Sequence, residues 1–309
     1  MPFQVMWKQT ALSSSGTTTV RLTFDKKPIQ YVVGIGAYSF EFNQDDGDQH
    51  IKEISLTVKA TPSGGSDNAL DVTVTYTLDD ASYNNLDPDS SSVTIAALAW
   101  LGTNSDQIVL QNSGDLISQG NPSSPIGVPG SEAYKAAVLS GFDLKYGGQD
   151  DEHLLDLKTE VYPGSVSAGA IQILGDAYME DSSKNNTGDA SSGAVAWVNG
   201  GLIYYSTKAG TLNVDFQSFP QNNKSDLTVT YDTAISDATV FLMGERVSYG
   251  SGGDNHVYRL GAGPSTLTIS DDKKTVTLTD ASASVQDASD HHQDGSQSYA
   301  NLLVVATYA

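Results

Sequence analysis

The chain has 309 residues, no cysteine, and 37 acidic against 16 basic side chains, for a formal net charge of −21. Without a thiol there is no disulfide, no thiolate chemistry and no Cys-ligated zinc. So negative a surface repels phosphate backbones, which argues against nucleic acid as a partner and suits a solubilising surface or one that binds cations. No apolar run approaches the roughly 20 residues that cross a bilayer. The opening MPFQVMWKQTALSSSG lacks a basic segment followed by an apolar one, so a secretory leader is not expected and the chain reads as soluble, without membrane insertion.

In chain order, an alternation of apolar with Thr, Ser, Asp or Lys predicts strands with one wet face at Val20–Phe24, Ile54–Val58 and Leu70–Tyr76. The same alternation returns near Ile171, over Leu227–Tyr231, near Leu267 and near Val276. Clusters such as SGGSDN, SSKNNTGDASSG and YGSGGDN lie between them as loops. SEAYKAAVLSG has the composition of one or two helical turns, yet its place in the repeat described next assigns it to a strand. GIGAYS, from Gly34, sits inside a strand with no βαβ unit around it and is not a nucleotide loop. The fold class is all-β.

His50, His153 and His256 stand 103 residues apart at both steps, and Asp48, Asp151 and Asp254 keep the same step two residues earlier. Two residue types at two identical intervals predict a repeated module. The length is that of two or three typical domains of about 100–150 residues, and the repeat selects three antiparallel β-sandwich modules in tandem. Polar joints at QNSGDLISQGNPSSP and SFPQNNKSD set the boundaries at 1–112, 113–218 and 219–309. The modules are either closed into a single-chain pseudo-threefold trimer or strung as separate beads; short joints favour contact.

The first module carries a resemblance. Phe24 and Pro28, the strand Val33 to Ile35, the strand Ile51 to Leu56 and the closing strand Ala97 to Leu101 around Trp100 resemble the motif order of H-type lectin modules. The second module keeps Trp197 and the strand order; the third keeps VTYDTAIS and VFLMG. The resemblance implies a six-stranded antiparallel sandwich that associates as a trimer and binds a sugar, typically N-acetylgalactosamine, at subunit boundaries. It also implies a place on phage fibres or other adhesive appendages. The family contacts its sugar through an acid, an arginine and an aromatic–histidine pair. Arg21 and Asp25 flank the first strand of the pattern here, with Thr228 and Asp232 as their counterparts in the third module.

Two sets of residues are candidates for binding. Asp89, Asp189 and Asp294 precede Ser-rich leads into the closing strands, where small polar side chains beside Tyr83, Tyr178 or Trp100 can hydrogen-bond a sugar while an aromatic stacks on it, or form ordinary hairpin loops. With Arg21, Asp25, Trp100 and Trp197 they make up the sugar-site expectation, although Trp100 and Trp197 equally read as core. In the second set, His50, His153 and His256 converge on a threefold axis and hold a transition metal or an anion. Alternatively, Asp45, Asp46 and Asp48 with Asp151 and its neighbours, and Asp254, supply oxygen ligands to Ca2+, or the Asp-x-His loops are plain structural turns. No nucleophile elbow, zinc-protease helix or P-loop occurs, and a non-enzymatic protein is expected. It presents carbohydrate-binding modules on a virion or extracellular appendage, or serves as a structural subunit beside other copies with calcium-stabilised acidic loops.

Overall fold

A computed structural model describes residues 3–42, 50–65, 67–80, 85–103, 106–147, 153–181, 194–209, 212–222, 225–250, 256–287, 294 and 296–308. Among these residues there is no helix, and so none long and apolar enough to cross a membrane. The protein is all-β and its named strands pair antiparallel.

The first group of strands is β1 (Phe3–Ala11), β2 (Thr17–Thr23), β3 (Gln30–Glu41), β4 (Ile51–Pro62), β5 (Ala69–Asp80) and β6 (Ser92–Trp100). The second is β7 (Ile108–Asn112), β8 (Ile126–Gly127), β9 (Glu132–Lys145), β10 (Leu154–Pro163), β11 (Ala170–Ile171), β12 (Ile173–Asp181) and β13 (Val195–Ser206). The third is β14 (Val214–Gln221), β15 (Ser225–Thr230), β16 (Ile235–Ser248), β17 (Val257–Gly263), β18 (Thr266–Ile269), β19 (Thr275–Asp287) and β20 (Tyr299–Tyr308).

Residue pattern explains the strands directly. In β5, Leu70, Val72, Val74, Tyr76 and Leu78 are buried while Asp71, Thr73, Thr75 and Thr77 face outward, the period of two expected of a sheet with one wet face. SEAYKAAVLSG falls mostly in β9, where Ala136–Phe142 is buried without alternation. Val32–Tyr38 in β3 behaves in the same way, as does Ala238–Leu242 in β16. Continuous burial means that both faces of these three strands are covered. They meet at Gly34, where a Cβ would lie 2.8 Å from the Leu139 carbonyl oxygen and 3.0 Å from the Phe241 ring, so only glycine fits.

Strand pairing follows one rule applied three times. One sheet runs β1-β6-β3-β17-β19-β15, with β18 also on β19; the next runs β2-β5-β4-β9-β13-β7; the third runs β12-β10-β16-β20-β14, and β8 pairs with β11 beside it. Each large sheet thus takes an opening strand, a closing strand and a long inner strand from one group, and its other strands from the neighbouring group. The groups are linked cyclically: β4 of the first joins β9 of the second, β10 of the second joins β16 of the third, and β17 of the third joins β3 of the first. β7 lies before the polar joint near residue 112 and yet pairs with β13 beyond it.

The register at the three junctions is also shared. Ile54, Leu157 and Leu260, each four residues after a repeated histidine, are buried and pair with Leu144, Val247 and Phe40 of the adjoining group. A single hydrophobic cluster runs through all three groups and includes these six residues. Each buried aliphatic side chain contributes about 1.5–3 kcal/mol relative to exposure, so the apolar junctions hold the groups together.

Candidate functional site

Each repeated histidine is the residue immediately before the strand that crosses to the next sheet: His50 before β4, His153 before β10, His256 before β17. The following residue, Ile51, Leu154 or Val257, is buried and anchors the start of that strand. The pairing register then slips between Ile51 and Glu53, between Leu154 and Asp156, and between Val257 and Arg259. An irregularity of this kind bends a strand and re-aims the side chains beside it. Three equivalent crossovers bring the three rings together, with centroids 4.2 Å apart for His50 and His153, 4.7 Å for His50 and His256, and 5.6 Å for His153 and His256. One ring nitrogen from each lies within 4.8 Å of the others. His50 is buried, while His153 and His256 are half-buried. Three imidazole nitrogens at such spacing can ligate a borderline-soft metal ion.

Beside this cluster every junction carries an ion pair, and in each the residue three positions after the histidine takes part. Glu53 meets Lys145 at 2.6 Å, Asp156 binds Arg246 with both carboxylate oxygens 3.0 Å from Nε, and Arg259 approaches Glu41 at 3.7 Å. The charge order is reversed at the third junction. Tyr178 donates to Asp156 and Tyr258 donates to Glu41, which orients both acids.

A second three-group cluster lies deeper. Six residues of strand separate His153 from Thr159, on the order of 20 Å. There the fully buried Glu245 of β16 accepts hydrogen bonds at Oε1 from the Tyr38 hydroxyl of β3 at 2.7 Å and the Thr159 hydroxyl of β10 at 3.2 Å. Its Oε2 has no hydrogen-bond partner among the described residues. Burial lifts the carboxyl and the two hydroxyls pull it partway back, which leaves it at about 7. Burial, together with Glu245, raises the Tyr38 hydroxyl well above its ordinary value, so it remains a donor. Sequence reasoning missed this group; the one signal was an acid inside the apolar run VFLMGERVSY.

The residues of the sugar-site expectation do not share one location through any described contact. Arg21 lies on β2 and pairs with Asp71, its cross-strand neighbour, through Nε at 2.8 Å and Nη2 at 3.2 Å. Asp25 is exposed, and its backbone N–H donates to Gln4. Asp89 is exposed and turns on Asp87. Trp100 packs edge-on against Phe3, with Gly102 against its indole, and is half-buried like Trp197. Asp294 caps its own turn, accepting from the Ser296 N–H and hydroxyl and from Gln297, and these bonds hold its carboxyl below the usual range. Asp189 and the acids Asp45, Asp46, Asp48, Asp151 and Asp254 lie outside the described residues, as do Tyr83, His291 and His292. Phe40, Phe42 and Phe142 fill the core.

No protein-family model matches the chain, and no curated protein matches it. The resemblance to H-type lectins therefore rests on the quoted residues.

Proposed function

We propose that the chain is a non-enzymatic structural subunit of a surface assembly such as a virion, fibre or appendage, one polypeptide supplying the threefold body that three protomers supply elsewhere. The observation that carries this reading is the cyclic sharing of strands at β4–β9, β10–β16 and β17–β3, which spends most of the described chain on mutually locked sheets. The acidic exterior keeps such bodies soluble until a partner or cation screens them. Sedimentation velocity and electron microscopy, with and without Ca2+, test it. Concentration- or cation-dependent ordered assemblies are expected, and a chain that stays single under every condition would sink the idea.

Glycan attachment is the second reading, favoured by a groove of about 720 Å3 whose lining includes Tyr31, Lys59 and the amides Gln30, Gln111, Asn112 and Asn199. Amides with an aromatic ring suit a neutral saccharide. Asn112 is fixed by two bonds to the Val33 backbone and Gln30 by the Leu110 N–H, so the groove is pre-formed. Retention of one sugar class on a glycan array, lost in Tyr31→Ala, would move the assignment from scaffold to attachment.

A further inference from the structure

The geometry points to a first-row divalent transition ion, of the zinc, cobalt and nickel class, held by the imidazoles of His50, His153 and His256 where the three crossovers meet. The inference does not rest on the surface-subunit reading, since it concerns three side chains and their distances.

Three observations carry it. The donors are alike: one histidine from each group, in the same position before a crossing strand and followed by the same register slip. They are also close: tetrahedral zinc with Zn–N of about 2.0–2.1 Å sets its ligands about 3.4 Å apart. The three nitrogens already lie within 4.8 Å of one another, so rotation of side chains closes the site without moving a strand. Finally, His153 and His256 are only half-buried, so part of each side chain meets solvent. The bound ion would take its fourth position from water or another small ligand.

Donor chemistry selects the ion. Imidazole suits zinc, nickel, cobalt and copper, whereas Ca2+ takes six to eight oxygens. A dication also relieves part of a net charge of −21, which raises the local concentration of cations around the chain. The bound ion would tie three crossovers from three groups at one point and so act as a clamp on the cyclic arrangement. It stabilises the folded chain by mass action, because the unfolded chain scatters its ligands across more than 200 residues of sequence.

The test uses the untagged full chain, stripped with chelator and titrated with Co2+ and Zn2+, with Ca2+ as the control. Expected are one saturable equivalent per chain, visible bands of low-symmetry Co2+ that Zn2+ displaces and Ca2+ does not, and a rise in Tm with Zn2+. His50→Gln, His153→Gln and His256→Gln should each weaken binding at least tenfold. His153→Gln and His256→Gln alter half-buried side chains, so their folds are safer than that of His50→Gln, and the Co2+ spectrum of the unmodified chain needs no variant. Absence of a saturable equivalent would show that the rings are merely packed together. Equal binding by all three variants, or displacement of Co2+ by Ca2+, would place the ion on surface carboxylates, and either result overturns the proposal.

Discussion

Two clusters gather one side chain from each of the three strand groups, and they are built on opposite principles. At the crossovers the three contributions are the same residue, histidine, in the same local frame. Deeper in, they are three different residues, Tyr38, Thr159 and Glu245, and by the junction register the acid occupies the place that Tyr38 and Phe142 fill in the other two groups. Three identical donors bring one ring nitrogen each within 4.8 Å of the others, the arrangement that the proposed ion would use. Three unlike groups complete one another, and the remaining deficit falls on a single atom, Glu245 Oε2. The proposed ion would make the equal cluster a site for something outside the chain; the unequal one tunes the chain itself.

The largest effect that sharpens this contrast comes from Glu245. Its folded-state carboxyl titrates near 7 because burial disfavours the anion, while in the unfolded chain it returns to about 4.5. Below pH 4.5 both states are protonated and the group's contribution is complete. As pH rises from there through 7, the unfolded chain releases the proton first and stability falls, by roughly 3 kcal/mol in all, with no further loss above. Glu245→Gln keeps the shape and cannot ionise. It should match the parent in urea denaturation at pH 4.5 and exceed it at pH 8 by that order. A constant difference across the range would mean that Glu245 does not titrate in the folded chain.

Next in size is Tyr38→Phe, which removes the shorter of the two hydrogen bonds to Glu245 and leaves a buried acceptor poorly satisfied. A loss of about 1–3 kcal/mol is expected. The loss should shrink to under 1 kcal/mol in the Glu245→Leu background, where no acceptor remains; a double-mutant cycle that comes out additive would break the assignment of these residues to one cluster.

How much of this could be read beforehand follows from the same contrast. The histidines were legible because an identical residue at an identical step survives in a single sequence. The strands were legible from alternation, and β9 escaped a helical reading because the repeat placed it. The route of the strands was not legible: nothing in VYRLGAG says that β17, besides pairing with β19 of its own group, pairs with β3, about 220 residues away. Thr159 and Tyr38 gave no signal for the same reason, since the partner that explains each lies in another group. Arg21 was singled out by resemblance, while its cross-strand pairing with Asp71 depended on the β2–β5 register.

The smallest effects test whether the third junction, with its charges reversed, differs in strength as well as in sign. Asp156 is 10% exposed and grips Arg246 through two oxygens, whereas Arg259 is 51% exposed and stands 3.7 Å from Glu41. Asp156→Asn strips a half-buried guanidinium of its charged partner and should cost about 1–3 kcal/mol. Arg259→Gln removes a solvent-screened contact and leaves Glu41 its bond from the Tyr258 hydroxyl, so its cost should stay below about 1 kcal/mol and fall further in high salt. Equal losses from the two variants would mean that the ion pairs hold the junctions regardless of burial. The expected inequality instead leaves the buried pairs Ile54–Leu144, Leu157–Val247 and Leu260–Phe40 as what holds all three alike, with charge free to reverse beside them.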